Sequence, residues 1–350
     1  MNPAASAGIQ PVPVAVIGVG HMGRHHARIY HELPQARLVA VVDANLARAQ
    51  EIAAKYGAKA VASVEELPAE VKAVTVAVPT VYHVAVGTAL LRRGIDVLVE
   101  KPLAATVAEA QALMDCAREC KRVLSVGHTE RFNPVVRALQ RLEIQPRYVE
   151  TTRISPFSFR SADIGVVSDM MIHDIDIVLH LIRSKPVRVD AVGVNVLAKH
   201  EDVANARVVF ENGSVATLAA SRLALKTERR LRAFSESAYL SIDYQRKTGV
   251  AITKAANLDI LSMAAQGKFD DISQMAGVDF GSMVKVEPLI VDDVEPLKAE
   301  LEAFLDSVAS GKPPAVSAED GVAAVRLAAD IVAAIQSHRW GDSAAERSTS

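Results

Sequence analysis

The chain has 350 residues, about two domains' worth by the usual size prior. Half of it is hydrophobic, 23% is charged and the net charge is −2, so a sizeable core can form and nothing advertises nucleic acid or an anionic membrane surface. Aromatic residues are 4% of the chain, too few for a base-stacking platform, and no apolar stretch reaches the ~20 residues that span a bilayer. The opening MNPAASAGIQPVP has no basic n-region, so a signal peptide is not expected and a cytoplasmic protein is. Cys116 and Cys120 stand four apart without a second ligand pair, so no metal site is expected.

In chain order, VPVAVIG predicts a strand and His21 to about Leu33 a helix. ARLVAVVD is the next strand, followed by the amphipathic helix NLARAQEIAAKYG. AVTVAVP, DVLVEKP and RVLSVGH are three further strands, separated by helices over TVYHVAVGTALLRRG and TVAEAQALMDCARECK. Strands apolar throughout and separated by helices imply a parallel sheet covered on both faces, here as a doubly wound α/β domain over 10–128. After His128 a helix starts at Asn133-Pro134, and VVSDMMIHDIDIVLHLI predicts one long helix. From Val187 a run of long strands, with the hairpin turn ENGS, predicts one large open, mostly antiparallel sheet. The helices EPLKAELEAFLDSVASG and SAEDGVAAVRLAADIVAAIQ complete an α+β domain over 129–338, and 339–350 is expected to be a flexible tail. Residues 258–284 carry no clear pattern.

The first strand runs into GVGHMG, so Gly18, Gly20 and Gly23 form G-x-G-x-x-G, with His21 and Met22 between them. Asp43 follows at the tip of the second strand, at the spacing where a carboxylate meets the ribose hydroxyls of NAD. The glycines admit the pyrophosphate, and the helix N-terminus stabilises its charge. No arginine stands beside Asp43 in sequence to receive a 2′-phosphate, although Arg48 lies one turn on, so NAD is favoured over NADP. In a doubly wound sheet the carboxyl ends of strands line the ligand crevice, which places Pro79, Thr80 and His83 beside the cofactor. Glu100 and Lys101 of VLVEKP fall at the same edge, and a lysine there is a candidate proton carrier or hydroxyl polariser. Asp169 and His173 are four apart on a predicted helix, and a histidine moves its proton most readily near neutral pH.

These pieces in this order resemble the Gfo/Idh/MocA family of NAD(P)-dependent sugar and inositol oxidoreductases: GVGHMG with Asp43, then EKP at Glu100–Pro102, then D-x-x-x-H at Asp169 and His173. By that resemblance the catalytic set is Lys101, Asp169 and His173. Met171 stands where the family often has glycine. The segments GHTERFNP and RISPFSFRSADIGVVSDMMIHDIDI further resemble bacterial oxidoreductases acting on UDP-N-acetylglucosamine at carbon 3. Their keto product passes to a PLP aminotransferase, giving the diamino sugar of some lipid A.

On that resemblance Arg131, Arg153, Ser155, Arg160 and Ser161, with Asp169 and His173, are expected to contact a nucleotide-sugar substrate. The arginines are candidates for its diphosphate, or else surface ion pairs. The competing readings are a dehydrogenase of a free sugar or inositol, and a non-catalytic NAD-binding sensor on the same fold. A sensor does not need Lys101, Asp169 and His173 together. The apolar run VATLAASRLA suggests a sheet face that a second copy covers, hence a homodimer or homotetramer.

Overall fold

The computed structural model describes residues 10–142, 144–158, 164–254 and 284–340. The expected tail (apart from 339–340), Arg160, Ser161 and nearly all of 258–284 lie outside the described residues. Contacts divide the chain into two units. One takes the described residues within Met1–Asn133, Val167–His180 and Val294–Ser350, and the other those within Pro134–Val166 and Leu181–Asp293. The single boundary expected after residue 128 is thereby replaced by a chain that returns twice to its first unit.

In the first unit the Val/Ala/Ile runs form six strands: β1 (Val12–Ile17), β2 (Ala36–Val42), β3 (Lys59–Val61), β4 (Ala73–Val76), β5 (Asp96–Glu100) and β6 (Leu124–Gly127). All pairs are parallel, in the order β3-β2-β1-β4-β5-β6. That order reverses between β1 and β4, the switch point where doubly wound sheets bind ligands. β3, absent from the sequence reading, is a three-residue edge strand too short to show a pattern.

Helices cover both faces, as strands buried on both sides require. They are α1 (Gly23–Glu32), α2 (Leu46–Tyr56), α3 (His83–Arg92) and α4 (Val107–Cys120), each returning the chain to the next strand. Local chemistry sets their ends. Asn45 caps α2, Gly57 closes it at φ 68°, and Thr106 with Glu109 forms a capping box at the start of α4. The last two helices, from far along the chain, complete this core. Leu297, Leu301 and Phe304 of α7 (Pro296–Ser310) pack with Ile29 and Tyr30 on one face. Val322 and Val325 of α8 (Ala318–Ser337) pack with Leu90, Leu91 and Leu113 on the other. α6 (Ile172–Ile182) contributes its Ile172–His180 stretch to this unit and is preceded by one wide π-type turn, Val167–Met171. The sequence predicted an unbroken α-helix there.

The second unit begins with α5 (Pro134–Gln140), opened by proline as expected. It is built on an eight-stranded sheet ordered β14-β13-β12-β11-β7-β10-β9-β8. The strands are β7 (Tyr148–Ile154), β8 (Pro186–Val194), β9 (Val203–Phe210), β10 (Val215–Ser221), β11 (Glu228–Phe234), β12 (Ala238–Asp243), β13 (Thr248–Lys254) and β14 (Val284–Pro288). Every pair is antiparallel except β7 with β10. Alternation decides which side chains are buried. Val149, Ala206, Ala216, Leu218, Ala220, Leu231 and Ala233 turn to the inner face. The opposite face carries Thr217, Asn205, Arg207, the Glu150–Arg232 ion pair at 2.6 Å, and a ring cluster of Tyr148, Phe234 and Tyr239. This corrects the basis of the association argument, because Leu218 of VATLAASRLA faces inward and the outer face is mixed.

Candidate active site

The loop after β1 sits at the switch point, and two of its three glycines are required by the protein itself. Gly18 has φ +83° and a Cβ there would lie 2.9 Å from the Ala77 carbonyl. A Cβ on Gly23 would lie 1.8 Å from the Gly18 carbonyl oxygen. Gly20 differs: a Cβ there meets nothing within 4 Å. The fold has no use for glycine at that position, whereas a pyrophosphate approaching the backbone does. α1 begins without a side-chain cap and with no acidic residue in its first turn, which suits an anion at its N-terminus. His21 is exposed and Met22 is half-buried at the mouth of this loop. The residues present therefore fit a dinucleotide.

Asp43, just past β2, is fixed by two backbone donors: Val19 N–H to Oδ2 at 3.0 Å and Asn45 N–H to Oδ1 at 2.9 Å. A carboxylate accepts about four hydrogen bonds, so sites remain for ribose hydroxyls. Arg48 comes closer than its place in sequence suggested, with Nη1 3.7 Å from Asp43 Oδ2. Its side chain is half exposed, and such a pair contributes little. After β4, Pro79 is exposed and Thr80 half-buried. His83 departs from expectation: it is 1% exposed, with Nδ1 2.9 Å from the Pro102 carbonyl and Nε2 3.0 Å from that of Val78. Burial lowers its pKa despite those carbonyls. His83 braces two strand tips and is not an open cofactor contact.

β5 ends in Glu100, and Glu100 and Lys101 of EKP part company. Lys101 Nζ donates to the main-chain carbonyl of Asp169 at 2.7 Å and lies 3.5 Å from its Oδ1. The wide turn before α6 presents that carbonyl, and His173 follows, half-buried, in the first turn of α6. Glu100 instead points inward to His26 on α1, Oε1 to Nε2 2.8 Å. Burial pushes its carboxyl up, but the bond and charge of His26 and the charge of Lys101 outweigh this, leaving its pKa lowered. Glu300 on α7 is its counterpart: burial first, and then the charge of Glu100, raise its pKa well above the ordinary glutamate value. It accepts one bond, from Thr129 at 3.0 Å.

A second buried group stands beside this one. Arg131 donates twice to Asp176 of α6, at 2.7 Å each, and Nη1 lies 2.8 Å from His180 Nδ1. Asp320 at the start of α8 lies 3.3 Å away. With 5% of its surface exposed, Arg131 is engaged by buried partners of its own fold, not the open guanidinium expected. His128 is buried next to Asp176, 4.0 Å off, and burial keeps its pKa low. Sequence reasoning missed His26, His128, Glu300 and this use of Arg131, because their partners lie 45 to 200 residues away and leave no local pattern.

Of the residues expected to hold substrate, Arg153 is 3% exposed on the inner face of β7, its guanidinium 5.4 Å from the Tyr244 ring centre. It is a packed residue, not the open guanidinium foreseen. Ser155 is half-buried just past that strand.

Two family models match this chain. The oxidoreductase family with an NAD-binding Rossmann fold, GFO_IDH_MocA, matches residues 12–128, and the GFO/IDH/MocA C-terminal domain matches 145–241. UDP-N-acetylglucosamine 3-dehydrogenase of Acidithiobacillus ferrooxidans is 38% identical over 315 residues, 90% of this chain and 93% of that one. Inositol 2-dehydrogenase of Rhizobium meliloti is 25% identical over 346 residues, 94% of this chain and 98% of its own. A solved structure of the Acidithiobacillus enzyme superposes with TM-score 0.83 at 35% identity, covering 93% of this chain and 97% of that one. Levoglucosan dehydrogenase in complex with NADH and L-sorbose shares the fold at 19% identity, with TM-score 0.78 and coverage of 93% and 97%.

Proposed function

The chain belongs to the Gfo/Idh/MocA oxidoreductase family with its NAD-binding Rossmann fold, and on that premise we propose that it oxidises UDP-N-acetylglucosamine at carbon 3 to the 3-keto sugar. The observation that carries the reading is the likeness to a UDP-N-acetylglucosamine 3-dehydrogenase along nine-tenths of the chain, at a level well above that of the inositol dehydrogenase.

The glycine loop Gly18–Gly23 and the start of α1 bind the pyrophosphate of NAD, and Asp43 accepts the adenosine ribose hydroxyls. When bound, NAD⁺ supplies the hydride acceptor. Lys101, seated on the Asp169 carbonyl, holds its ammonium at the switch-point edge of the sheet, where it polarises the sugar hydroxyl. His173 takes the hydroxyl proton, and the Asp169 carboxylate keeps the Lys101 charge in place. Glu100 shapes this site from behind by accepting the Lys101 backbone N–H, 3.3 Å away.

A keto sugar of this kind is the substrate of a PLP aminotransferase, which places the reaction ahead of diamino-sugar formation for lipid A in the cytoplasm. The outer face of the large sheet, with its Tyr148, Phe234 and Tyr239 cluster, covers a second copy in a homodimer or a dimer of dimers. The test of substrate is NADH formation with UDP-N-acetylglucosamine, coupled to an aminotransferase and glutamate to remove the keto product. No NADH in that assay, with steady turnover of inositol or a free hexose, would transfer the protein to the free-polyol reading.

A further inference from the structure

The two edges of the eight-stranded sheet are guarded differently. β14 is five residues long and carries Lys285, Glu287 and Pro288, charges and a proline that discourage pairing with another chain. β8, at the other edge, carries Pro186, Arg188 and Asp190 but runs for nine residues, and among the described residues pairs only with β9. Its exposed apolar side chains are Val187 at 58% and Val194 at 42%, continued past the strand by Val196 and Leu197 at 61% and 64%. A long edge of this kind is a ready template for another strand.

The pairing of that edge with β9 shifts register between Pro186 and Arg188 and is regular from Arg188 to Val194, where its far end is fixed. The turn after β8 closes on Asp202, whose Oδ2 accepts the N–H groups of Val196, Leu197 and Ala198, while Oδ1 takes the buried Arg222 guanidinium at 2.7 Å. The backbone direction of the strand follows from its last residue. The Val194 carbonyl accepts the Asp202 N–H, so it faces β9. In an antiparallel pair, hydrogen-bonded and non-bonded residues alternate. Arg188, Asp190 and Val192 therefore bond to β9, and Val189, Ala191 and Gly193 turn N–H and C=O to the free edge.

Arg188 and Asp190, both exposed, flank Val189 on one face of the strand and touch each other at 3.0 Å. A two-fold axis through Val189 brings Val189 opposite Val189 as a hydrogen-bonded pair. It also sets Arg188 of each copy opposite Asp190 of the other, in the adjacent non-bonded pairs where side chains approach most closely. About that axis the regular part of the strand offers the Val189 pair for hydrogen bonding and is complementary to itself in charge.

We infer that β8 pairs edge to edge with β8 of a second copy of this chain, about a two-fold axis at Val189. The contact is separate from the outer sheet face and does not depend on the substrate. A closed two-fold contact leaves no edge for further addition there, so it limits assembly instead of propagating it.

The test is the mass of the protein by light scattering at micromolar concentration, with hydrogen–deuterium exchange of the β8 peptide. Arg188→Asp and Asp190→Arg each place like charges across the axis, so each should lower the particle to half the wild-type mass. The double variant Arg188→Asp/Asp190→Arg restores opposite charges and should restore the mass. Amides of Val189 and Ala191 should be protected in wild type and exchange faster in the single variants. A monomeric wild type, single variants at wild-type mass, or fast exchange of those amides in wild type would each overturn the inference. So would a folded double variant that stays at half mass.

Discussion

Replacing Arg131 by alanine separates two uses of one residue, a contact to the sugar and a brace within the first unit. The guanidinium makes two 2.7 Å bonds to Asp176, which is 1% exposed, and a 2.8 Å contact to His180. Truncation leaves the Asp176 carboxylate buried, with His128 Nε2 at 4.0 Å as a neighbour that burial keeps neutral. Breaking one partner from a buried pair costs about 3–5 kcal/mol. In a cooperative unit of about 200 residues, each kcal/mol moves Tm by about 2–4 °C, so the expected fall is roughly 6–20 °C. Differential scanning calorimetry of the cofactor-free protein reads this directly. At a temperature where the variant is folded, KM for UDP-N-acetylglucosamine should stay within about twofold of wild type. An unchanged Tm with KM raised about tenfold, roughly 1.4 kcal/mol of lost binding, would refute the bracing role and restore the substrate contact.

Lys101→Ala and His173→Ala should each lower kcat by about 100- to 10,000-fold while NAD still binds, measured by cofactor titration; turnover near wild type would remove that residue from the chemistry. Asp43→Ala should lose the preference for NAD over NADP in kcat/KM, since Arg48 is then released from its carboxylate; a variant as selective as wild type would show that Asp43 does not read the ribose. Glu300→Gln should be indistinguishable from wild type in stability near pH 4.5 and more stable at pH 8. The sign follows from the raised folded pKa: above the unfolded value the native protein must keep a proton that the unfolded chain releases, so wild-type stability falls as pH rises and the glutamine variant's does not. Equal Tm values at both pH values would mean that Glu300 is not held protonated.

The readable parts of the chain were those whose cause is local. GVGHMG could be recognised because the positive φ of Gly18 and the approach of Gly23 to the Gly18 carbonyl lie within one strand–turn–helix, and Asn45, Gly57 and Pro134 likewise set helix ends within a few residues. Lys101 and Asp169 were placed by the strand-tip rule and the resemblance, and they do meet, although through a main-chain carbonyl that no side-chain pattern can announce. What escaped was decided at a distance. Arg131 looks like any basic residue until α6 brings Asp176 to it, and Arg153 looks like a phosphate ligand until β7 turns it to the inner face. The parallel pairing of β7 with β10, inside an otherwise antiparallel sheet, joins segments more than 60 residues apart. The wide turn before α6 was hidden because a single i→i+5 turn of five residues is too short to show a period of its own beside the helix it precedes.

The scattered make-up of the first unit bears on how the protein emerges from the ribosome. Both faces of the six-stranded sheet wait for α7 and α8, whose Leu301, Phe304, Val322 and Val325 are made last. From Asn133 to Ser337 the ribosome needs roughly 10–40 s at the usual rate of synthesis. Throughout that interval the N-terminal strands stand with apolar surface uncovered, while the second unit's segments are being made. Nascent chains halted before α7 should therefore be held by chaperones or be protease-sensitive, and release of the full chain should abolish both.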